Sequence, residues 1–73
     1  MNMTVKMLSE AISENHVILV QEGYQWTTHV INFPATKEYE QEIREAVLNR
    51  IGGYTVCEVW TWHGTIHLTA VKK

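Results

Sequence analysis

Apolar residues recur at helical spacing in two stretches of the chain, and in four others they alternate with polar residues or run together briefly. In the first stretch Val5, Leu8, Ala11 and Ile12 share one face of a short helix. Thr4 stands where an N-cap is needed, and Met3 and Leu8 take the positions of a hydrophobic staple. The pattern is exhausted at Ser13-Glu14-Asn15, where Asn15 suits a left-handed residue closing the helix. His16 to Glu22 (HVILVQE) reads as a strand, Glu22-Gly23 supplies turn chemistry, and Trp26 to Phe33 (WTTHVINF) reads as its hairpin partner. Pro34 cannot donate to a ladder and pushes Phe33 toward extended geometry, so the second strand stops there.

The second half repeats the scheme. Thr36 suits an N-cap, after which Tyr39, Ile43, Ala46, Val47 and Ile51 recur at helical spacing while Glu38, Glu42, Glu45 and Asn49 occupy another face. Gly52-Gly53 ends this helix, with a left-handed cap as the expected conformation. From Tyr54 to Lys73 the chain is rich in Thr, Val and Trp and is split by His63-Gly64, a two-residue hairpin turn. The order α-β-β-α-β-β predicts one α+β domain over residues 1–73: a two-layer sandwich of a four-stranded antiparallel sheet with both helices on one face.

The second hairpin assigns faces. With His63 and Gly64 as loop residues, Trp62 lies opposite Thr65, Trp60 opposite His67, Glu58 opposite Thr69 and Val56 opposite Val71, all on one side. The other side gathers Cys57, Val59, Ile66, Leu68 and Ala70, apolar residues of medium size that make the better core. Trp60, Trp62, His67 and Glu58 therefore point away from the helices. Trp26 joins them or not according to the length of the first hairpin loop, two residues or four, which its sequence leaves open.

Composition narrows what such a face serves. A chain of 73 residues buries only about 60% of its unfolded surface, and a single cysteine, Cys57, permits no internal disulfide. A metal, self-association or good packing is left to support the core. Six basic residues against eight acids, all of them Glu, give a formal charge of −2. The bases are scattered apart from Lys72 and Lys73, a poor footprint for a polyanion. The glutamates of the second helix are interrupted by Lys37 and Arg44 and read as a solvated face. The longest apolar run, Val17 to Val20, is far too short for a membrane span, and residues 1–10 lack the apolar core of a signal peptide. The expected address is cytoplasmic, or the host cytoplasm for a viral protein.

No catalytic motif appears. Four histidines (His16, His29, His63, His67) and Cys57 invite a metal, yet no CxxC, HxH or HExxH spacing is present, so neither a metal site nor a cofactor is expected. Cys57, placed in the core, reads as an inert thiol. Glu58 and His67 fall near each other on the aromatic face, where an open sheet offers no cleft, so they read as the polar rim of a binding patch and not as an acid–base pair. Gly52-Gly53 follows a helix instead of preceding one and builds no anion site.

Exposed tryptophans are costly to leave bare and are the residues most enriched among interface hot spots. The sequence therefore predicts a small non-catalytic protein-binding module. Trp60, Trp62, His67, Glu58 and Trp26 are its partner-binding residues, and the partner is another protein or a second copy in a homodimer. Size and missing motifs suit a regulator or inhibitor, antitoxin-like or phage-encoded against a host defence complex. The alternative is a single-stranded nucleic-acid binder using the Trp face as a stacking platform, which the charge disfavours. The element order is shared by unrelated small domains, and fold alone licenses no function.

Overall fold

The computed structural model describes residues Met3–Lys72; Lys73, half of the terminal basic pair, and residues 1 and 2 of the amino-terminal stretch lie outside the described residues. The elements are α1 (Val5–Ala11), β1 (His16–Glu22), β2 (Gln25–Ile31), α2 (Glu38–Ile51), β3 (Thr55–Trp62) and β4 (Thr65–Val71). The strands form one sheet in the order β2-β1-β4-β3.

The expected all-antiparallel sheet is corrected. Both hairpins are antiparallel, but β1 and β4 pair in parallel, so the sheet is mixed. The cause is the single helical crossover. α2 carries the chain back to the end of the sheet at which β2 began, so β3 runs in the same sense as β2 and β4, reversing, runs with β1. The α-β-β unit repeats in the chain but not in the sheet, because the first strand of one unit and the second of the other take the centre.

Period-two burial in β1 (His16, Ile18 and Val20 buried) is continued by Ile31 on β2 and by Leu68 and Ala70 on β4. Val5 of α1 and Ile51 of α2 complete that cluster, and Leu8, Ile12, Val47, Leu48, Tyr54, Val56 and Ile66 pack against it. Six residues of the expected apolar faces lie outside the core: Ala11, Tyr39 and Ala46 are exposed, as are Ile43, Val59 and Cys57. Ile43 is 54% exposed, because only the C-terminal half of α2 reaches the cluster. Val59 is equally exposed, because β3 is an edge strand of which only the first residues meet the core. Cys57 is exposed because the ladder shifts between Val56 and Glu58. The bulge leaves Cys57 without an opposite residue and turns Val56 toward Ala70 and the core.

Thr4 caps α1 as expected, its Oγ1 accepting the Met7 N–H at 3.3 Å. Two further N–H groups of that first turn are taken by the α2–β3 connection: Val5 N–H donates to the Tyr54 carbonyl at 3.0 Å and Lys6 N–H to the Gly52 carbonyl at 2.9 Å. Asn15 does not close α1 in a left-handed conformation; its side-chain oxygen instead accepts the Phe33 N–H across the start of the first hairpin. Lys37, not Thr36, stands at the N-cap of α2, and the Glu40 carboxylate accepts its N–H at 3.2 Å. Gly52 closes α2 in a right-handed conformation, and Gly53 is not left-handed either. Glycine is needed at 52 for space, since a Cβ there would strike the Leu48 carbonyl oxygen and press on the Lys6 Cβ at 3.1 Å.

Candidate functional site

Both hairpins turn on two residues. His63 and Gly64 have φ of 50° and 76°, the pattern of a type I′ turn, and Gly23 has φ of 65° before Tyr24. These turns settle the registers. Trp62 stands opposite Thr65, Trp60 opposite His67 and Glu58 opposite Thr69, and Trp26 stands opposite Gln21. Each lies on the side of its strand opposite the core positions Ile18, Val20, Leu68 and Ala70, so Trp26 belongs to the outer face with the other four.

Following the pairs across the sheet gives three rows on that face. Val30, Val17, His67 and Trp60 form one row; Thr28, Leu19, Thr69 and Glu58 the next; Trp26, Gln21, Val71 and Thr55 the third. Trp62 and Thr65 extend it beyond the first row. Trp60 and Trp62 thus occupy one corner and Trp26 the diagonally opposite one, so the structure does not gather the three indoles into one cluster.

At the first corner the side chains order one another. The His67 ring stacks on Trp60 with centroids 5.5 Å apart, and Trp62 meets His67 edge-on at 5.9 Å and His63 at 4.1 Å. The Thr65 carbonyl lies 3.0 Å from His67 Nδ1; a carbonyl only accepts, so Nδ1 carries the proton and Nε2 is the acceptor in the neutral ring. Trp60 is 37%, Trp62 62% and Trp26 55% exposed. No strand contains Lys or Arg, and Glu58 is the one charged residue in the three rows. Among the described residues no ion pair joins Glu58 to His67.

Two polar groups on the core side were not anticipated. Ser9 and His16 are both fully buried, with Ser9 Oγ 2.7 Å from His16 Nε2. His16 Nδ1–H donates to the Glu14 carbonyl at 3.0 Å, which leaves Nε2 to accept the serine proton. Burial pushes the His16 pKa below its ordinary 6.5, the Arg44 charge adds to that, and the Glu14 carbonyl opposes it. A serine on an oriented imidazole has the parts of a nucleophile, but the pair is sealed from substrate, so it holds α1 to β1. Ser9 shares the helical stripe of Val5 and Ile12, a signal in the sequence that it faces inward. At the other end of β1, Glu22 accepts from Tyr54 OH at 3.0 Å and from Arg50 Nη2 at 3.2 Å. Burial, with the Glu22 hydrogen bond and charge, raises the Tyr54 pKa.

Among the described residues no group of three or more His, Cys, Asp or Glu is placed to hold a metal ion. A shallow depression between the end of β2 and the start of α2 is lined by Val30, Ile31, Asn32, Tyr39, Glu40, Ile43 and Arg44. Among the described residues no helix is long and apolar enough to cross a membrane. Comparison with protein-family models, curated proteins and solved structures gave no match to this chain.

Proposed function

We propose that the chain is a small non-catalytic protein-binding module that docks through the outer face of its sheet, centred on the Trp60, Trp62 and His67 corner. Two layers are part of the proposal: both helices lie over the core face, which leaves the opposite face for a partner. The observation that carries it is the packing of Trp60, His67 and Trp62 on that face, His67 stacked on Trp60 and met edge-on by Trp62. Rings already held by one another lose little rotamer freedom on binding, which favours them as anchors. A sheet without lysine or arginine supports a protein partner over a nucleic acid, which needs cations along its backbone path. In the cytoplasm, or a host's cytoplasm for a viral protein, such a module acts as a regulator or inhibitor by covering a partner's surface, antitoxin-like or against a host defence complex.

The test is affinity capture of the tagged chain from host lysate, with and without nuclease, beside Trp60→Ala/Trp62→Ala. A protein partner that survives nuclease and disappears with the folded variant is the expected result. Nucleic acid that co-purifies with the wild type and is lost both on nuclease treatment and with the variant would overturn it in favour of a stacking platform.

A further inference from the structure

The three rows of the outer face carry their bulk and their charge in a pattern that can be tested for a matching surface. Large side chains stand at diagonal corners, Trp60 and Trp62 at one and Trp26 at the other, while Val30 and Thr55 fill the remaining two. Between them the centre is lower: Val17, Leu19, Thr69 and Val71 are medium-sized and only partly exposed. A surface with diagonal bulk fits a copy of itself turned about a twofold axis, because each large corner then meets a small one.

We infer that the partner seated on this face is a second copy of the chain, packed sheet against sheet about a twofold axis parallel to the strands. This rests on the docking face proposed above and names its occupant. The axis direction follows from Glu58. With the axis along the strands, each row meets the same row of the second copy in reverse. Trp60 then faces Val30 of the second copy, Trp26 faces Thr55, and Glu58 faces Thr28, whose hydroxyl can donate to it. With the axis across the strands, Glu58 in the middle row faces Glu58 of the second copy, and two buried carboxylates repel. Aligned strands are also one of the two ordinary arrangements of packed sheets.

The area lies at the small end of what two associating chains bury. Four strands about 4.8 Å apart, each about seven residues at 3.3 Å, give a face of roughly 450 Å² in projection. Two copies bring together about 900 Å² in projection, and side-chain relief raises the accessible area above that, toward the low end of stable interfaces near 1,200 Å². Only one charge per copy is buried, and it has a donor opposite.

The experiment is sedimentation velocity from about 1 to about 200 μM, with circular dichroism to check folding, on the wild type, Leu19→Lys, Thr28→Glu and Thr28→Glu/Glu58→Lys. The wild type is expected to sediment as a dimer and Leu19→Lys as a folded monomer. Thr28→Glu, on an exposed edge-strand position that leaves the core intact, sets two carboxylates against each other and should weaken association roughly tenfold or more. Adding Glu58→Lys makes opposite charges face each other and should restore it. A monomeric wild type, a dimer indifferent to Leu19→Lys, or a double variant no tighter than Thr28→Glu would overturn the inference. A monomeric wild type that still captures a protein through Trp60 and Trp62 sinks the second copy alone. Capture of a partner that is indifferent to Trp60→Ala/Trp62→Ala, together with a dimer indifferent to Leu19→Lys, sinks the docking face with it.

Discussion

Strands β3 and β4 pair along one ladder, interrupted only by the bulge at Cys57, and are built from the same kinds of side chain, yet β4 is half inside the protein and β3 almost wholly outside it. Leu68 of β4 is 0% exposed; Val59, directly across the ladder on the same side of the sheet, is 54% exposed. β4 lies between two strands and under the core cluster, whereas β3 is an edge that both α1 and α2 leave uncovered beyond its first residues. Alternation along a strand decides which side a residue takes. Whether anything lies above that side depends on where the strand falls in the sheet.

The contrast breaks most visibly under truncation. Leu68→Ala should cost about 2–5 kcal/mol, while Val59→Ala should stay within about 1 kcal/mol, both read from urea unfolding followed by circular dichroism. Equal losses would mean that β3 is covered after all. The close of α2 offers a second pair. Gly52→Ala forces a Cβ against the Leu48 carbonyl and should cost about 1–3 kcal/mol. Gly53→Ala meets nothing within 4 Å and should be near neutral, a result that a left-handed Gly53 would not allow.

Acid probes the packed side by titration. His16 is held neutral in the fold, and once unfolded it protonates at its ordinary 6.5, so its stabilising contribution is complete above that value. It is lost as pH falls from 6.5 toward the lowered native value. Unfolding free energy measured against pH should slope downward there, and His16→Gln should flatten the slope; an unchanged slope would show that His16 is not the group responsible. The smallest effect belongs to the bare strand. Cys57→Ser should alter stability by less than about 0.5 kcal/mol, and the native thiol should react fully with a thiol reagent without denaturant. A protected thiol would return Cys57 to the core.

Much of this was legible where local rules govern. The His63-Gly64 turn fixes its own register, so the placement of Trp62, Trp60 and Glu58 on the outer face follows from sequence alone, and Thr4 announces its helix by its hydroxyl. The register fails first at Cys57, because a bulge inserts a residue without changing the alternation on either side. The parallel β1–β4 pair was not legible, since it is set by the path of α2 over the sheet and not by any residue within the strands. Ile43 and Val59 carry the right spacing for a core that does not extend to them. Ser9 and His16 recognise each other only after α1 folds back on β1.

The pairing of β1 with β4 also sets an order of events during synthesis. Ile18 leaves the ribosome long before Leu68, the residue it will lie beside, and no shorter stretch of chain can close the centre of the sheet. Until then the first hairpin has its partner-seeking edge open, with Val5 waiting for the Tyr54 carbonyl and for the core residues Ile51, Leu68 and Ala70. Nascent fragments that stop before β4 should therefore be protease-sensitive throughout, and protection should arrive in one step for both ends of the chain.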